Sequence, residues 1–146
     1  MLTKDFKEFI KLLNENNVEY LVVGGYAVAY HGYPRYTGDL DIWFNPTTEN
    51  VEKILNVLVE FGFSSLQIHK EDLLKPGNII QLGFPPVRID LLNEIDGVDF
   101  FSCYSRRITV TSDEPVVNYI CLPDLINNKK ASGRHRDLDD LENLQH

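Results

Sequence analysis

A mixed β-sheet flanked by helices, of the α/β (α+β) class, is predicted for this chain by three observations. Short apolar runs alternate with amphipathic stretches along most of its length. Gly-Gly or Asn-Pro punctuates junctions between them. The runs at 20–23, 40–44 and 87–92 are too short for helices and rich in Val, Ile and Leu. The length, 146 residues, suits one domain over 1–146, and 43% hydrophobic with 25% charged residues is near the globular average. Disorder, collagen-like repeats and coiled coil are excluded.

Each element has its own local reason. Phe6, Phe9, Ile10 and Leu13 recur at helical spacing, with Thr3 as N-cap and Asn16-Asn17 as stop, which predicts a helix over about 4–15. Tyr20–Val23 reads as a strand, Gly24-Gly25 as a turn, and 26–30 as a brief helix closed by Gly32. A strand over 40–44 stops at Asn45-Pro46. Thr47 then caps a helix whose buried stripe is Val51, Ile54, Leu55 and Leu58, ended by Gly62. The signal weakens over 64–86, with a strand near 78–82, before Val87–Leu92 gives a clear one. Two short strands follow near 108–110 and 116–121. Pro123 opens a helix running to about 132 with Gly133 beyond its end, and Leu138, Leu141 and Leu144 suggest a last helix.

Fourteen basic against 22 acidic side chains give a net charge of −8, which disfavours non-specific adhesion to nucleic acid or anionic membrane. Cys103 and Cys121 are too few for a disulfide framework, and the four His are scattered without metal-ligand spacing, so structural zinc is not expected. No stretch approaches the roughly 18 apolar residues of a membrane span, and the N-terminus lacks signal-peptide character. These features imply a reducing, cytoplasmic setting without membrane partners.

Three segments can carry chemistry. In Asp39-Leu40-Asp41-Ile42 strand alternation projects both carboxylates from one face. Such a pair suits a hard divalent cation such as Mg²⁺, although solvated acids at a strand start explain it as simply. In Val87–Leu92, Asp90 shares a face with Arg88, and an Asp within an apolar strand must be paired with Arg88 or another base, ligated to metal, or protonated. Were this strand beside 40–44, Asp90 would join Asp39 and Asp41 in a three-carboxylate metal site. Gly24-Gly25, between strand and helix, offers backbone N–H groups to a phosphate or simply makes a tight connection. It matches neither a dinucleotide-binding fingerprint nor a P-loop. No G-x-S-x-G occurs, neither Cys has a neighbouring His, and His31 reads as a bystander. Residues 129–136, Lys-Lys-Ala-Ser-Gly-Arg-His-Arg, form the one basic island, otherwise explained as a solvated helix end.

Taken together, Val22-Val23-Gly24-Gly25, then Arg35-Tyr36-Thr37-Gly38-Asp39-Leu40-Asp41, then Arg88-Ile89-Asp90-Leu91, resemble the nucleotidyltransferase superfamily of the DNA polymerase β type. The tail, from Asp124 through Lys129 to Gly133-Arg134-x-Arg136-Asp137-Leu-x-Asp140, is similar to small bacterial stand-alone members and to domains of abortive-infection toxins. The resemblance covers about 18–144. It implies the nucleotidyltransferase fold, with two Mg²⁺ ions, for which Mn²⁺ can substitute, held by Asp39, Asp41 and Asp90. The triphosphate of an NTP would lie against Gly24-Gly25, with Lys129 reaching the phosphates. Transfer of a nucleoside monophosphate to an acceptor hydroxyl of tRNA, protein or a small molecule, with release of pyrophosphate, is the implied activity. The alternative is a catalytically weak nucleotide-binding regulatory or antitoxin-like module of the same fold. Where many relatives have Gly-Ser, this chain has Gly24-Gly25 followed by Tyr26, so a serine hydroxyl on the phosphate is missing.

Helical spacing separates the two adjacent lysines. With Leu122, Leu125 and Ile126 setting the inward stripe, position 129 falls on it and 130 lies about 100° further round. Lys129 is therefore expected to face inward and find an anion, and Lys130 to be solvated.

Overall fold

The predicted strands all form, three of them with the expected ends and three with shifted ones. The computed structural model describes residues 2–145; Met1 and His146, the ends of the expected domain, lie outside the described residues. Among those described, β1 (Tyr20–Val23), β2 (Asp39–Phe44), β3 (Ile79–Phe84), β4 (Val87–Leu92), β5 (Ile108–Val110) and β6 (Val117–Tyr119) make one mixed sheet in the order β3-β4-β2-β1-β6-β5. β2 runs antiparallel to β1 and parallel to β4, while β3 and β4 form an antiparallel pair.

The helices are α1 (Lys4–Glu15), α2 (Gly24–Tyr30), α3 (Thr48–Glu60), α4 (Lys70–Leu74), α5 (Phe100–Ser105), α6 (Leu122–Ser132) and α7 (His135–Leu144). Thr3 and Thr47 cap α1 and α3 through their hydroxyls, accepting from Phe6 N and Asn50 N at 3.2 Å each. α1 buries Phe6, Phe9, Ile10 and Leu13; α3 buries Val51, Ile54, Val57 and Leu58, with Leu55 only half-buried. The five-residue α4 and six-residue α5 escape sequence reading because one or two turns bury too few residues to show a period: Leu73 in the first, Phe100 and Cys103 in the second. No helix among the described residues is long and apolar enough to cross a membrane.

One core gathers the inner faces of α1 and α3 with the strands. Leu40, Ile42, Ile89 and Leu91 all turn to the same sheet face and are essentially solvent-free. Each contributes about 1.5–3 kcal/mol by leaving water. The β2 and β4 side chains between them consequently share the opposite face, which is where the acids lie.

The last helix departs from expectation. Leu138, assigned to its inward stripe, is half-exposed, and the buried positions are Asp137, Asp140 and Leu141. Two acids occupy an inner face that an apolar-stripe argument gives to leucine. Similarly α6 buries Asp124, Leu125 and Lys129, whereas Leu122 and Ile126 are half-buried.

Candidate functional site

The pairing of β2 with β4 brings the three acids together. Asp41 lies opposite Asp90, and Asp39 opposite Arg88, on the same sheet face. On the other side of β2, Val23 pairs with Asp41, so the chain leaves β1 directly over that carboxylate. Gly24 there has φ +66°, and a Cβ on it would run into Asp41 Oδ2. A Cβ on Gly25 would come within 2.5 Å of Thr37 Cγ2. The Gly-Gly pair is thus needed because the turn sits against the acids and against the segment leading into β2. Gly24→Ala is expected to cost at least about 1–3 kcal/mol of stability through backbone strain, and more through the clash with Asp41. Urea unfolding measures this, and an unchanged midpoint would contradict the geometry.

Burial is the main cause that pushes the Asp41 carboxyl up to about 7, followed by the negative charges of Asp90 and Asp39. Among the described residues neither Asp41 oxygen receives a side-chain hydrogen bond or an ion pair. Asp90 is different. Arg88 grips it with both arms of its guanidinium, Nε to Oδ1 and Nη2 to Oδ2 at 3.0 Å each, and Nη2 lies 3.6 Å from Asp39 Oδ2. The structural ion pair weighed for Asp90 is therefore present, while the three acids are also adjacent. An all-oxygen donor set with a part-buried carboxylate lacking a cation suits Mg²⁺ or Mn²⁺, and Asp39 and Asp41 fit that role. Asp90 is shared with Arg88, and among the described residues no three His, Cys, Asp or Glu side chains already converge as a metal cage.

These acids line a cleft of about 590 Å³, which Gly24 and Gly25 also border. One wall carries Arg35, Lys129, Arg134 and Arg136, with Asp96 beside it, its carbonyl accepting from Asn128 Nδ2 of α6 at 2.9 Å; Ile79, Gln81, Leu92 and Glu94 lie along β3 and the end of β4. Lys129 is 4% exposed and Lys130 is at the surface. The anions that Lys129 Nζ meets are Asp137 Oδ1 at 3.0 Å and Asp140 Oδ2 at 3.1 Å. Arg35 also clasps Asp140, and Arg134 clasps Asp137. Burial works to raise the Asp137 carboxyl, yet hydrogen bonds from Arg134, Lys129 and Ser132 hold it well below the usual carboxylate range. Sequence reading missed Asp137 and Asp140 as partners of Lys129. Their spacing, one turn apart on one helix face, was the available signal, and it reads equally well as surface charge. A more open hollow of about 580 Å³ between α1 and the 114–118 segment carries Lys11, Glu15 and Glu114, all solvent-exposed.

No protein-family model matches the chain, and no similar curated protein was found. The geometry of the cleft therefore bears the functional argument.

Proposed function

We propose that this chain is a metal-dependent nucleotidyltransferase that moves a nucleoside monophosphate from an NTP to an acceptor hydroxyl and releases pyrophosphate. The observation that supports it most is the register that sets Asp41 beside Asp90, with Asp39 on the same face, in a cleft bordered by Gly24-Gly25 and a cationic wall. Mg²⁺ held by Asp39 and Asp41, and by Asp90 once it is free of Arg88, would neutralise charge on the phosphates and acidify the acceptor hydroxyl. The protein's part is positioning: backbone N–H groups of the Gly-Gly turn face the triphosphate, and the cations of the wall offset its charge. No protein nucleophile is needed.

Among the three acceptor classes, a hydroxyl on a protein or small molecule suits the cleft better than tRNA. Glu94 and Asp96 there repel a phosphodiester backbone, and the chain's net charge of −8 acts in the same direction. Asp39→Asn is expected to lower turnover by at least about 10²–10³-fold, as when one preorganised electrostatic group is removed, with circular dichroism unchanged. Full activity in that variant would end the proposal.

One observation favours the second reading, a nucleotide-binding regulatory or antitoxin-like module with little turnover. The Arg88 fork saturates both oxygens of Asp90 and so competes with a metal for the third acid. A thermal-shift panel of the four NTPs with and without Mg²⁺ separates the readings when paired with a pyrophosphate assay in cell extract. A ligand at 100 times its Kd adds about 2.7 kcal/mol. Stabilisation without pyrophosphate release would favour the module.

A further inference from the structure

We infer that Asp140 and Asp137 are positioning residues of the cleft: with Lys129 between them, they hold Arg35 and Arg134 as a pre-set pair of phosphate-facing guanidinium groups. This inference rests on reading the cleft as an NTP site, and it departs from the expectation that Lys129 itself is the phosphate contact.

Five charges alternate in one connected chain, Arg35, Asp140, Lys129, Asp137 and Arg134. Asp140 accepts from Arg35 Nε at 2.9 Å, Arg35 Nη2 at 3.0 Å and Lys129 Nζ at 3.1 Å. Asp137 accepts from Lys129 Nζ at 3.0 Å, Arg134 Nε at 2.8 Å and the Arg134 backbone N–H at 3.2 Å. Both acids are 0% exposed. The lysine ammonium is therefore occupied on two sides by buried carboxylates and works as a pivot. Three cations against two anions leave one positive charge, carried by the guanidinium groups at the ends. The Arg134 side chain is 75% exposed, and Arg35 Nη1 makes only a 3.3 Å bond to the Tyr36 carbonyl, so both keep N–H groups for a ligand.

A network of this kind is a poor way to gain stability alone, since buried ion pairs often stabilise less than apolar residues of similar volume. Its placement gives it a use. Asp140 reaches across 105 positions to Arg35, whose carbonyl accepts from Thr37 Oγ1 at 3.2 Å, and Thr37 in turn packs on Gly25 beside the acids. The last helix thereby sets the segment leading into β2 and the Gly-Gly turn through contiguous contacts. Arginine suits the end positions because its planar fork can hold a carboxylate with one edge and a phosphate with another.

The test measures binding of the four Mg²⁺-NTPs by titration calorimetry to the wild type, Asp140→Asn, Arg35→Gln, the double variant and Arg134→Gln. Each single variant is expected to lose about tenfold or more in affinity, the range for one charge-assisted contact, with KM raised more than kcat is lowered. The double variant should bind no more weakly than the weaker single, because Asp140 acts through Arg35. Arg134 is exposed, so Arg134→Gln decides the matter should Asp140→Asn fail to fold. Binding by the wild type with undiminished affinity in Arg134→Gln or in Asp140→Asn, or additive losses in the double variant, would overturn this inference and leave the NTP site standing. No binding of any NTP to the wild type would overturn the NTP site, and this inference with it.

Discussion

Replacing Asp41 by Asn is expected to raise the stability of the protein at about pH 8 and, on the function proposed, to abolish nucleotidyl transfer. Burial, and then the charges of Asp90 and Asp39, lift this carboxyl from 3.8 to about 7. The folded chain therefore binds a proton that the unfolded chain has lost between those values. Stability consequently falls as pH rises through the window and levels off above about 7. An amide has no charge to desolvate, so the variant should gain roughly 2–4 kcal/mol above that pH, at about 1.4 kcal/mol per unit, and show no such slope. Thermal melts of both proteins from about pH 4 to 9 measure the difference, which belongs to Asp41 together with the two acids coupled to it, Asp90 and Asp39. A cation relieves the same repulsion, so Mg²⁺ should stabilise the wild type and leave Asp41→Asn nearly unmoved. Equal pH profiles would mean that Asp41 is not held in the environment described.

Lys129→Ala is expected to be among the most destabilising single changes in the chain, at about 3–5 kcal/mol, because it strips a cation from two buried carboxylates. The neighbouring Lys130→Ala should stay within about 0.5 kcal/mol, since that side chain lies at the surface. Asp137 is held below the usual carboxylate range, so the stability it brings is complete above that range and is lost as pH falls through its folded value. The gap between wild type and Lys129→Ala should accordingly narrow in acid. Chemical denaturation at about pH 7 and pH 3 checks both statements, and a Lys129→Ala protein as stable as the wild type at neutral pH would refute the buried network.

Much of this was legible in the sequence because it is local. The alternation of Asp39, Leu40, Asp41 and Ile42 assigned two acids to one face, and Thr3, Thr47 and Gly133 marked helix ends that the structure keeps. What stayed hidden depends on distant pairing. Nothing in residues 39–44 or 87–92 states that β2 and β4 are parallel neighbours, and only that register sets Asp41 beside Asp90. The grip of Arg88 on Asp90 was one of three open outcomes for a buried acid. The acids of α7 were the hardest to read. Asp137 and Asp140 look like solvated helix charge until Lys129 and Arg35 are brought against them from elsewhere in the chain. A leucine stripe through Leu138 fits the same letters, and tertiary packing chose the other face.

The proposal that this cleft transfers nucleotides is tested most directly by following label from the α-phosphate of each NTP. The protein is incubated with the labelled NTP, Mg²⁺ and fractionated cell lysate, with Asp41→Asn alongside. The account predicts label entering protein or a small metabolite with the wild type, pyrophosphate appearing in equal amount, and neither with the variant. Label in no fraction with any of the four NTPs, or equal label with wild type and Asp41→Asn, would contradict it.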